Sequence, residues 1–169
     1  MAVREVVSLP TEILRKKARK VTGFGLDLQV LVDDMVETMR DEPGVGLAAP
    51  QVNVPFRVIV VEYGEDEEAP PKLYILVNPE IVRASKETEV GVEGCLSVPG
   101  FAGEVERPIN VVVKGVDRRG KPLRLKPAGW LARIFQHEID HLEGILFIDR
   151  AERVWKLEEG PATQVIPAD

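Results

Sequence analysis

The chain has 169 residues, of which 44% are hydrophobic and 30% charged, so it fits one globular domain with a full core. A net charge of −6 argues against a specific nucleic-acid surface, and no apolar run reaches the length of a membrane span. The single cysteine excludes an internal disulfide, and neither a signal nor a transit peptide is visible at the start. We therefore predict a cytoplasmic protein without a membrane partner, in which residues 1–169 form one domain with its core at about 6–150.

The predicted elements, in chain order, are a helix, a run of strands and a second helix. A turn at residues 8–11 leads into a short helix, and apolar residues repeat at helical spacing from Leu28 to Met39. Strand-like runs follow at residues 57–62, 73–78, 87–92, 109–117 and 122–125, with a hairpin turn at 118–121. A second long helix is predicted to begin at Pro127 and to end at Gly144, before a short buried segment at 145–148. Without β-α-β alternation the predicted class is α+β, with mixed or antiparallel sheets packed around a central helix that carries His-Glu-x-x-His.

Two polar segments carry further expectations. Residues 15–20 place five positive charges in six positions, which could contact RNA or a ribosome, but a solvated face is favoured because no aromatic residues are interleaved. The tail after Arg150 is predicted to start as a short helix from Glu152 to Glu158 and to be disordered after Gly160 and Pro161.

The only two histidines of the chain lie four residues apart on the second long helix, with a glutamate directly after the first. That spacing places the rings of His137 and His141 on one face of the helix, where both can bind one metal ion. Glu138 is then turned aside, where it can act on a metal-bound water. The alternative is a pair of surface histidines, but the intervening glutamate and the absence of any other histidine favour a hydrolytic metal site.

A catalytic site of this kind usually has three protein ligands, so a third one must come from elsewhere. The single cysteine, Cys95, lies between a strand-like run and a Pro-Gly turn at residues 99–100. A lone cysteine is usually an inert buried thiol, but one thiolate with two imidazoles makes a mixed ligand set that suits zinc or ferrous iron. Asp140 and Glu143 are the carboxylate alternatives.

A third block, Gly44-Val45-Gly46-Leu47-Ala48-Ala49-Pro50-Gln51, follows the first long helix. It lacks the third glycine, the Lys-Ser/Thr ending and the preceding strand of a phosphate-binding loop, so a nucleotide site is disfavoured. Its small residues let the backbone approach a ligand closely, and Gln51 offers an amide donor beside that approach. Taken alone, the block is also explained by a tight structural turn.

Together, three blocks of the sequence resemble the signature motifs of the peptide deformylase family. The block at residues 44–51, Glu93-Gly94-Cys95-Leu96-Ser97 and Gln136-His137-Glu138-Ile139-Asp140-His141 match these motifs completely and in the same order. The resemblance runs from about Val6 to Arg150. It implies a bacterial-type hydrolase that removes the N-terminal formyl group from formyl-methionyl nascent peptides, by attack of a metal-bound hydroxide on the formyl carbon.

The resemblance also implies a role for individual residues. It implies one divalent metal ion whose ligands are Cys95, His137 and His141. Ferrous iron is the expected native metal, with zinc, nickel or cobalt as alternatives. Glu138 would take the proton of the water and pass it to the departing amine. The Gln51 side chain and the Leu96 backbone N–H would stabilise the oxyanion.

Peptide binding is implied in the same way. The family binds its substrate as an extended strand, which here implies contacts to the backbone of Gly44, Val45, Gly46 and Gly94. The methionine side chain would enter an apolar pocket formed by Val45, Trp130, Arg133, Ile134 and His137. In this hypothesis Arg133 lines the pocket with its aliphatic stem while its charge stays in water, and an ordinary solvated arginine is the alternative.

The chain departs from the family pattern at one position and keeps it at a pair of charged residues. Many relatives carry an arginine where this chain has Ala102, which leaves the preference for peptide length open. Glu93 and Arg107 are both retained, and we expect a structural pair that braces the metal loop, with an exposed weak ion pair as the alternative.

Two other functions compete with the deformylase hypothesis. A zinc endopeptidase shares the His-Glu-x-x-His helix, but the complete Glu-Gly-Cys-Leu-Ser block disfavours it. A catalytically inactive relative that acts as a binding module is disfavoured because every residue of the predicted chemistry is present.

Overall fold

The structure is a computed structural model that describes residues 2–157. Within that range the helices and strands are α1 (Leu26–Asp41), β1 (Gly46–Ala48), β2 (Val58–Tyr63), β3 (Lys72–Ala84), β4 (Thr88–Cys95), β5 (Val98–Pro108), β6 (Val111–Val116), β7 (Pro122–Leu125), α2 (Gly129–Leu142), α3 (Phe147–Arg150) and β8 (Arg153–Lys156). Short 3₁₀ turns lie at Glu12–Arg15 and Ala49–Val52. No helix formed by residues 2–157 is long and apolar enough to span a membrane.

The strands form two separate sheets. One has five strands in the order β1-β2-β3-β6-β7, and the other has three in the order β4-β5-β8. Every pairing between these strands is antiparallel. The predicted α+β class is therefore confirmed, with antiparallel rather than mixed sheets.

The strand β2, second in the five-stranded sheet, explains how both long helices are held on that sheet. Its Val58 and Val60 side chains pack with the apolar stripe of α1, whereas Ile59 and Val61 pack with apolar residues of α2. Side chains alternate between the two faces of a strand, so a run of four β-branched residues is buried on both sides. The two helices consequently lie on opposite faces of this sheet.

The other side of α2 is polar and faces the three-stranded sheet. Arg133, His137 and Asp140 recur about one turn apart on this side, and all three are buried. Their partners lie on β4 and β5, including Glu93 and Arg107. Buried polar groups require partners, so this interface is built from hydrogen bonds instead of apolar packing. The central helix thus lies between the two sheets.

The end of α2 agrees with the prediction, and its start differs by two residues. Gly144, at φ +75°, follows the helix, and the Gly144 and Ile145 N–H groups donate to His141 O and Asp140 O in a Schellman motif. At the other end the helix begins at Gly129. Pro127 cannot join the helix because its carbonyl accepts a hydrogen bond from Val111, which keeps this segment extended beside β6.

The predicted helix from Glu152 to Glu158 is wrong over the residues that the structure describes. Arg153–Lys156 form β8, which pairs with β5 along residues Phe101 to Glu104. A helix of this length is marginal in water, whereas the open edge of β5 offers a complete ladder of hydrogen bonds. Glu158 and the expected disorder after Gly160 lie outside the described residues.

The segment after Cys95 also differs from the prediction. The chain turns at Leu96 and Ser97 and not at Pro99 and Gly100, which belong to β5. The strands β1 and β5 were not predicted, because β1 is only three residues long and β5 contains proline and glycine, which are rare in strands. The resulting tight hairpin brings Cys95 to the end of β4, directly beside α2.

Candidate metal centre

Three side chains that can bind a metal converge between α2 and the end of β4. Cys95, His137 and His141 each offer one ligand atom, and these atoms all lie within 4.8 Å of one another. All three residues are buried. The helix supplies the two histidines from successive turns, and the end of β4 supplies the cysteine from the neighbouring sheet.

The distances in this group suit a tetrahedral transition metal. Cys95 Sγ lies 3.4 Å from His141 Nε2. Two ligands at typical zinc–sulfur and zinc–nitrogen bond lengths are roughly 3.6 Å apart in a tetrahedral site. One thiolate and two imidazoles are also a donor set that suits iron, zinc, nickel or cobalt. The residues therefore fit one divalent transition-metal ion.

The ring of His137 is oriented by a buried carboxylate on β4. His137 Nδ1 lies 2.8 Å from Glu93 Oε1, and Glu93 is fully buried. Burial raises the pKa of Glu93, but the hydrogen bonds from Arg107 and His137 outweigh it and hold this pKa well below its usual value. An ionised carboxylate only accepts hydrogen bonds, so Nδ1 carries the proton and Nε2 is the nitrogen available to a metal.

The electrostatic environment distinguishes the two histidines. Burial lowers the pKa of His137, but hydrogen bonds to Cys95 and Glu93 and the charge of Glu138 raise it to about 10. Burial and the charges of His137 and Arg107 hold the pKa of His141 well below its usual value. The cluster thus favours one positive charge among its donors, and a bound dication would take the place of the proton.

Glu138 lies beside the cluster in a pocket that is closed by backbone. Its side chain is buried, and Oε1 has no hydrogen-bond partner among residues 2–157. A Cβ built on Gly46 would lie 2.6 Å from Glu138 Oε2, so only glycine leaves room for this carboxylate. Burial raises the pKa of Glu138 to about 7. A carboxyl group in such surroundings can both accept and release a proton near neutral pH.

The amide of Gln51 also points to this centre. Gln51 Oε1 accepts a hydrogen bond from the Ala48 N–H at 3.0 Å, which fixes the orientation of the amide. The Nε2 group lies 3.7 Å from Cys95 Sγ and 3.2 Å from Ser97 Oγ. The structure therefore directs an N–H donor of Gln51 to the cysteine end of the cluster. No role was predicted for Ser97, because a serine in a turn carries no distinctive signal.

The two carboxylate alternatives to Cys95 have other partners. Asp140 accepts hydrogen bonds from Arg107 and Arg150, and Glu143 accepts one from Arg57. Neither belongs to a group of potential metal ligands among the described residues. Cys95 is the residue that lies with the two histidines.

The predicted environment of Arg133 is wrong. Its side chain is 5% exposed, and its guanidinium donates to Glu93 Oε2, Val105 O and Glu89 O rather than to solvent. A buried charge needs a complete set of partners, and the interior of the α2–sheet interface provides it. Arg133 also lies over the ring of Trp130, at 5.4 Å from the ring centroid.

The remaining predicted peptide contacts surround the cluster. Gly46 and Gly94 are buried in β1 and β4, whereas Gly44, Val45 and Leu96 are partly buried. Ile134 is fully buried, and Val45 and Trp130 pack against the same apolar cluster. Gly46 thus lies against Glu138 and Gly94 directly precedes Cys95, and the contacts of all these residues to a peptide stay a prediction.

The pair formed by Glu93 and Arg107 is structural and buried. Arg107 Nε and Nη2 donate to the two oxygens of Glu93 at 2.6 and 2.9 Å, and both side chains are almost fully buried. The exposed ion pair that the sequence left open is thereby excluded. The contact of Glu93 with His137 was not predicted, because only the folded chain places residue 93 beside residue 137.

Ala102 lies in the middle of the three-stranded sheet. It is paired with Gly94 on β4 and with Trp155 on β8, and it is buried. The alanine is therefore part of the sheet interior next to the metal loop. Its effect on peptide length stays a prediction.

Comparison with known proteins by family model and by sequence leads to the same family. The family model described as polypeptide deformylase matches residues 3–156. A peptide deformylase of Natranaerobius thermophilus is 47% identical over 159 residues, which cover 94% of this chain and 99% of that protein.

Solved structures agree with the sequence matches. A peptide deformylase from Ehrlichia chaffeensis in complex with actinonin superposes with a TM-score of 0.85 at 39% identity, covering 90% of this chain and 91% of that one. A class I type b peptide deformylase from Acinetobacter baumannii gives a TM-score of 0.83 at 40% identity, covering 89% and 99%.

Proposed function

The chain belongs to the peptide deformylase family, and we propose from this premise that it hydrolyses the N-terminal formyl group of formyl-methionyl nascent peptides. One observation carries the proposal: the buried group of Cys95, His137 and His141 lies next to a buried carboxylate, Glu138. A metal-ligand set with an adjacent general base is the arrangement that metal-assisted amide hydrolysis uses. The complex of a relative with actinonin supports a peptide-like ligand.

The ligands of the proposed metal are Cys95, His137 and His141. When bound, a divalent ion at this position supplies Lewis acidity that lowers the pKa of water toward neutrality. Glu93 keeps the proton of His137 on Nδ1, so that Nε2 stays free for the metal. We propose ferrous iron as the native metal, with zinc, nickel or cobalt as functional substitutes, because this donor set accepts all four.

Glu138 moves the proton in the proposed reaction. Its carboxylate accepts a proton from the attacking water and later delivers it to the nitrogen of the departing amine. Burial and the backbone of Gly46 hold the carboxylate in one place, so that the same group serves both steps. Glu138 alone thus accounts for both proton transfers of the proposed hydrolysis.

Gln51 and Leu96 are proposed to stabilise the oxyanion. Gln51 is supported by its fixed amide, whose Nε2 group is directed to the cysteine end of the cluster. Leu96 follows Cys95 in the tight turn, so its backbone N–H belongs to the same side of the centre. Fixed donors stabilise a developing negative charge without reorganisation during the reaction.

The peptide is proposed to bind along the backbone of Gly44, Val45, Gly46 and Gly94. The methionine side chain is proposed to enter the apolar region formed by Val45, Trp130 and Ile134, which share one apolar cluster. Arg133 contributes only its aliphatic stem to that region, because its guanidinium is held by Glu93 and by strand carbonyls.

A transient ribosome contact fits a substrate that emerges from the ribosome. The side chains of Lys16 and Lys17 are 70% and 78% exposed. Co-sedimentation of the protein with ribosomes at low salt, and loss of that binding in Lys16→Glu/Lys17→Glu, tests this part. A cytoplasmic location, where a thiolate ligand stays reduced, is proposed on the same grounds.

The test of the proposed function is the release of formate from formyl-Met-Ala-Ser by protein that was purified without oxygen. We expect multiple turnovers and formation of Met-Ala-Ser, with no cleavage between residues of the peptide. Cleavage of internal peptide bonds would instead indicate an endopeptidase. Bound metal with neither reaction would contradict the proposed function.

A further inference from the structure

Arg133 makes three hydrogen bonds across the helix–sheet interface, and the function proposed above uses only its aliphatic stem. Nη1 donates to Glu93 Oε2 at 2.6 Å and to Val105 O at 2.9 Å, and Nη2 donates to Glu89 O at 2.6 Å. One side chain of α2 thus fastens the helix to β4 and to β5. The guanidinium suits this task because its donors are fixed in one plane.

The four hydrogen bonds at Glu93 divide evenly between its two oxygens. Oε1 accepts from His137 Nδ1 and Arg107 Nη2, and Oε2 accepts from Arg107 Nε and Arg133 Nη1. A carboxylate has about four acceptor sites, so this group is saturated. Its position is therefore defined on one side by β5, through Arg107, and on the other by α2, through Arg133 and His137.

Arg133 and His137 lie one turn apart on the same helix and contact opposite oxygens of one carboxylate. We propose that Arg133 is a positioning residue of the metal centre: by holding Glu93 Oε2, it sets the place of Oε1 and thereby the orientation and tautomer of the His137 ring. The inference takes from the proposed function only that His137 is a metal ligand. It does not depend on which substrate the protein hydrolyses.

A glycine on β4, Gly91, leaves the space that the guanidinium of Arg133 occupies. A Cβ built on Gly91 would lie 2.8 Å from Arg133 Cζ and Nε, so a glycine at this position leaves room for the guanidinium. Alanine at residue 91 would displace the guanidinium without removing any charged group. The pair of Gly91 and Arg133 therefore allows the position of the guanidinium to be changed separately from its presence.

The test compares cobalt binding in three variants, because the visible spectrum of Co²⁺ reports the geometry of its ligands. Arg133→Met removes the contacts to Glu93, and Gly91→Ala displaces them. Arg118→Met is the matched control, since Arg118 makes comparable hydrogen bonds to Gln29 and Asp33 on α1. Each protein is loaded with Co²⁺, and the spectrum, the rate of Co²⁺ loss to a chelator and the thermal unfolding are measured.

Partners that orient a metal ligand typically change metal affinity 10–100-fold when they are removed, so we expect Arg133→Met to lose Co²⁺ about 10-fold faster with shifted visible bands. Gly91→Ala should change both readouts in the same direction by a smaller factor. Arg118→Met should lose stability without a change in spectrum or in the rate of metal loss.

Unchanged spectra and rates in Gly91→Ala and Arg133→Met would overturn the positioning role. If Arg133→Met does not fold, the Gly91→Ala result decides alone. Failure of the wild-type protein to bind Co²⁺ would count against the metal centre itself, and hence against the proposed function. The two proposals therefore fail by different observations.

Discussion

Glu138 is the residue at which chemistry and metal binding can be separated. Replacement by glutamine keeps the shape of the side chain and removes its ability to accept a proton. We predict that Glu138→Gln retains one equivalent of metal and that kcat falls by about 10²–10⁴. Metal analysis and formate release on the same sample measure both quantities.

The matched control for that change is Glu143→Gln on the following turn. Glu143 is partly exposed and pairs with Arg57 away from the metal-binding group. We expect kcat within about twofold of the wild-type value, because surface ion pairs contribute little. A Glu138→Gln protein that stays fully active would show that another group carries the proton.

Gln51 is predicted to act on the transition state. Gln51→Ala removes the fixed N–H donor, and loss of one such donor typically costs about 10²–10³ in kcat with little change in KM. Ser97→Ala serves as the control, since it removes the neighbour of the amide but leaves the bond between Gln51 and Ala48 in place. Steady-state kinetics on formyl-Met-Ala-Ser distinguish the two. An effect confined to KM in Gln51→Ala would contradict the oxyanion role.

At the scale of residues, the sequence indicated which side chains meet at the candidate site better than what holds them in place. His137 and His141 were predicted to share one face because spacing along a helix determines which side chains lie together, and the role of Glu138 stays a prediction. Cys95 required the family resemblance as well, since its distance from the histidines is set by the fold. The carboxylate that orients His137 and the buried state of Arg133 could not be predicted, because both depend on contacts between residues about 30 to 45 positions apart.

At the scale of elements, the end of α2 is the most sharply defined feature. Gly144 has φ +75°, and a Cβ at this position would lie 2.6 Å from Arg15 O. We predict that Gly144→Ala lowers the free energy of unfolding by roughly 2–3 kcal/mol, from backbone strain and from displacement of the Arg15 segment. Urea unfolding with a linear extrapolation measures the change.

Gly129→Ala is the control for the contribution of strain alone. Gly129 also has a positive φ, of +61°, but nothing lies within 4 Å of a Cβ built there. The free energy of unfolding of Gly129→Ala should therefore be lower by only about 1 kcal/mol. Equal losses in the two variants would show that the contact with Arg15 contributes nothing.

The elements that the sequence predicted well are those with a periodic pattern. The helix α1 and the strand β2 follow from apolar spacing, whereas β5 contains Pro99, Gly100 and Gly103, which weaken any strand signal. The β8 segment was assigned to a helix because four residues carry too little pattern to separate the two states. Pairing with the free edge of β5 decided its conformation.

At the scale of the whole molecule, stability at acid pH reports how the N-terminal segment is attached. Asp34 on α1 accepts hydrogen bonds from the Ala2 N–H and from Arg4 Nε. Burial raises the pKa of Asp34, but these hydrogen bonds and the charge of Arg4 lower it overall. A carboxyl whose pKa is lower in the folded state stabilises the protein above its unfolded pKa, and this contribution disappears as the pH falls through the folded value.

We therefore predict that Asp34→Asn is less stable than the wild-type protein by about 1 kcal/mol at pH 7. The difference should be constant above about pH 5 and should shrink below about pH 4, where the Asp34 carboxyl of the unfolded chain becomes protonated before that of the folded protein. Urea unfolding of both proteins at several pH values measures this difference. A stability difference between the two proteins that is as large at pH 3 as at pH 7 would show that the charge of Asp34 is not its source.

In the whole arrangement, a helix between two sheets presents two histidines to a cysteine from the neighbouring hairpin. The most direct test is to remove metal from the protein, add Fe²⁺ or Ni²⁺ stepwise without oxygen, and follow formate release from formyl-Met-Ala-Ser. We predict that activity rises linearly and stops rising at one metal ion per chain. Full activity in the metal-free protein, or no activity at one bound equivalent, would contradict it.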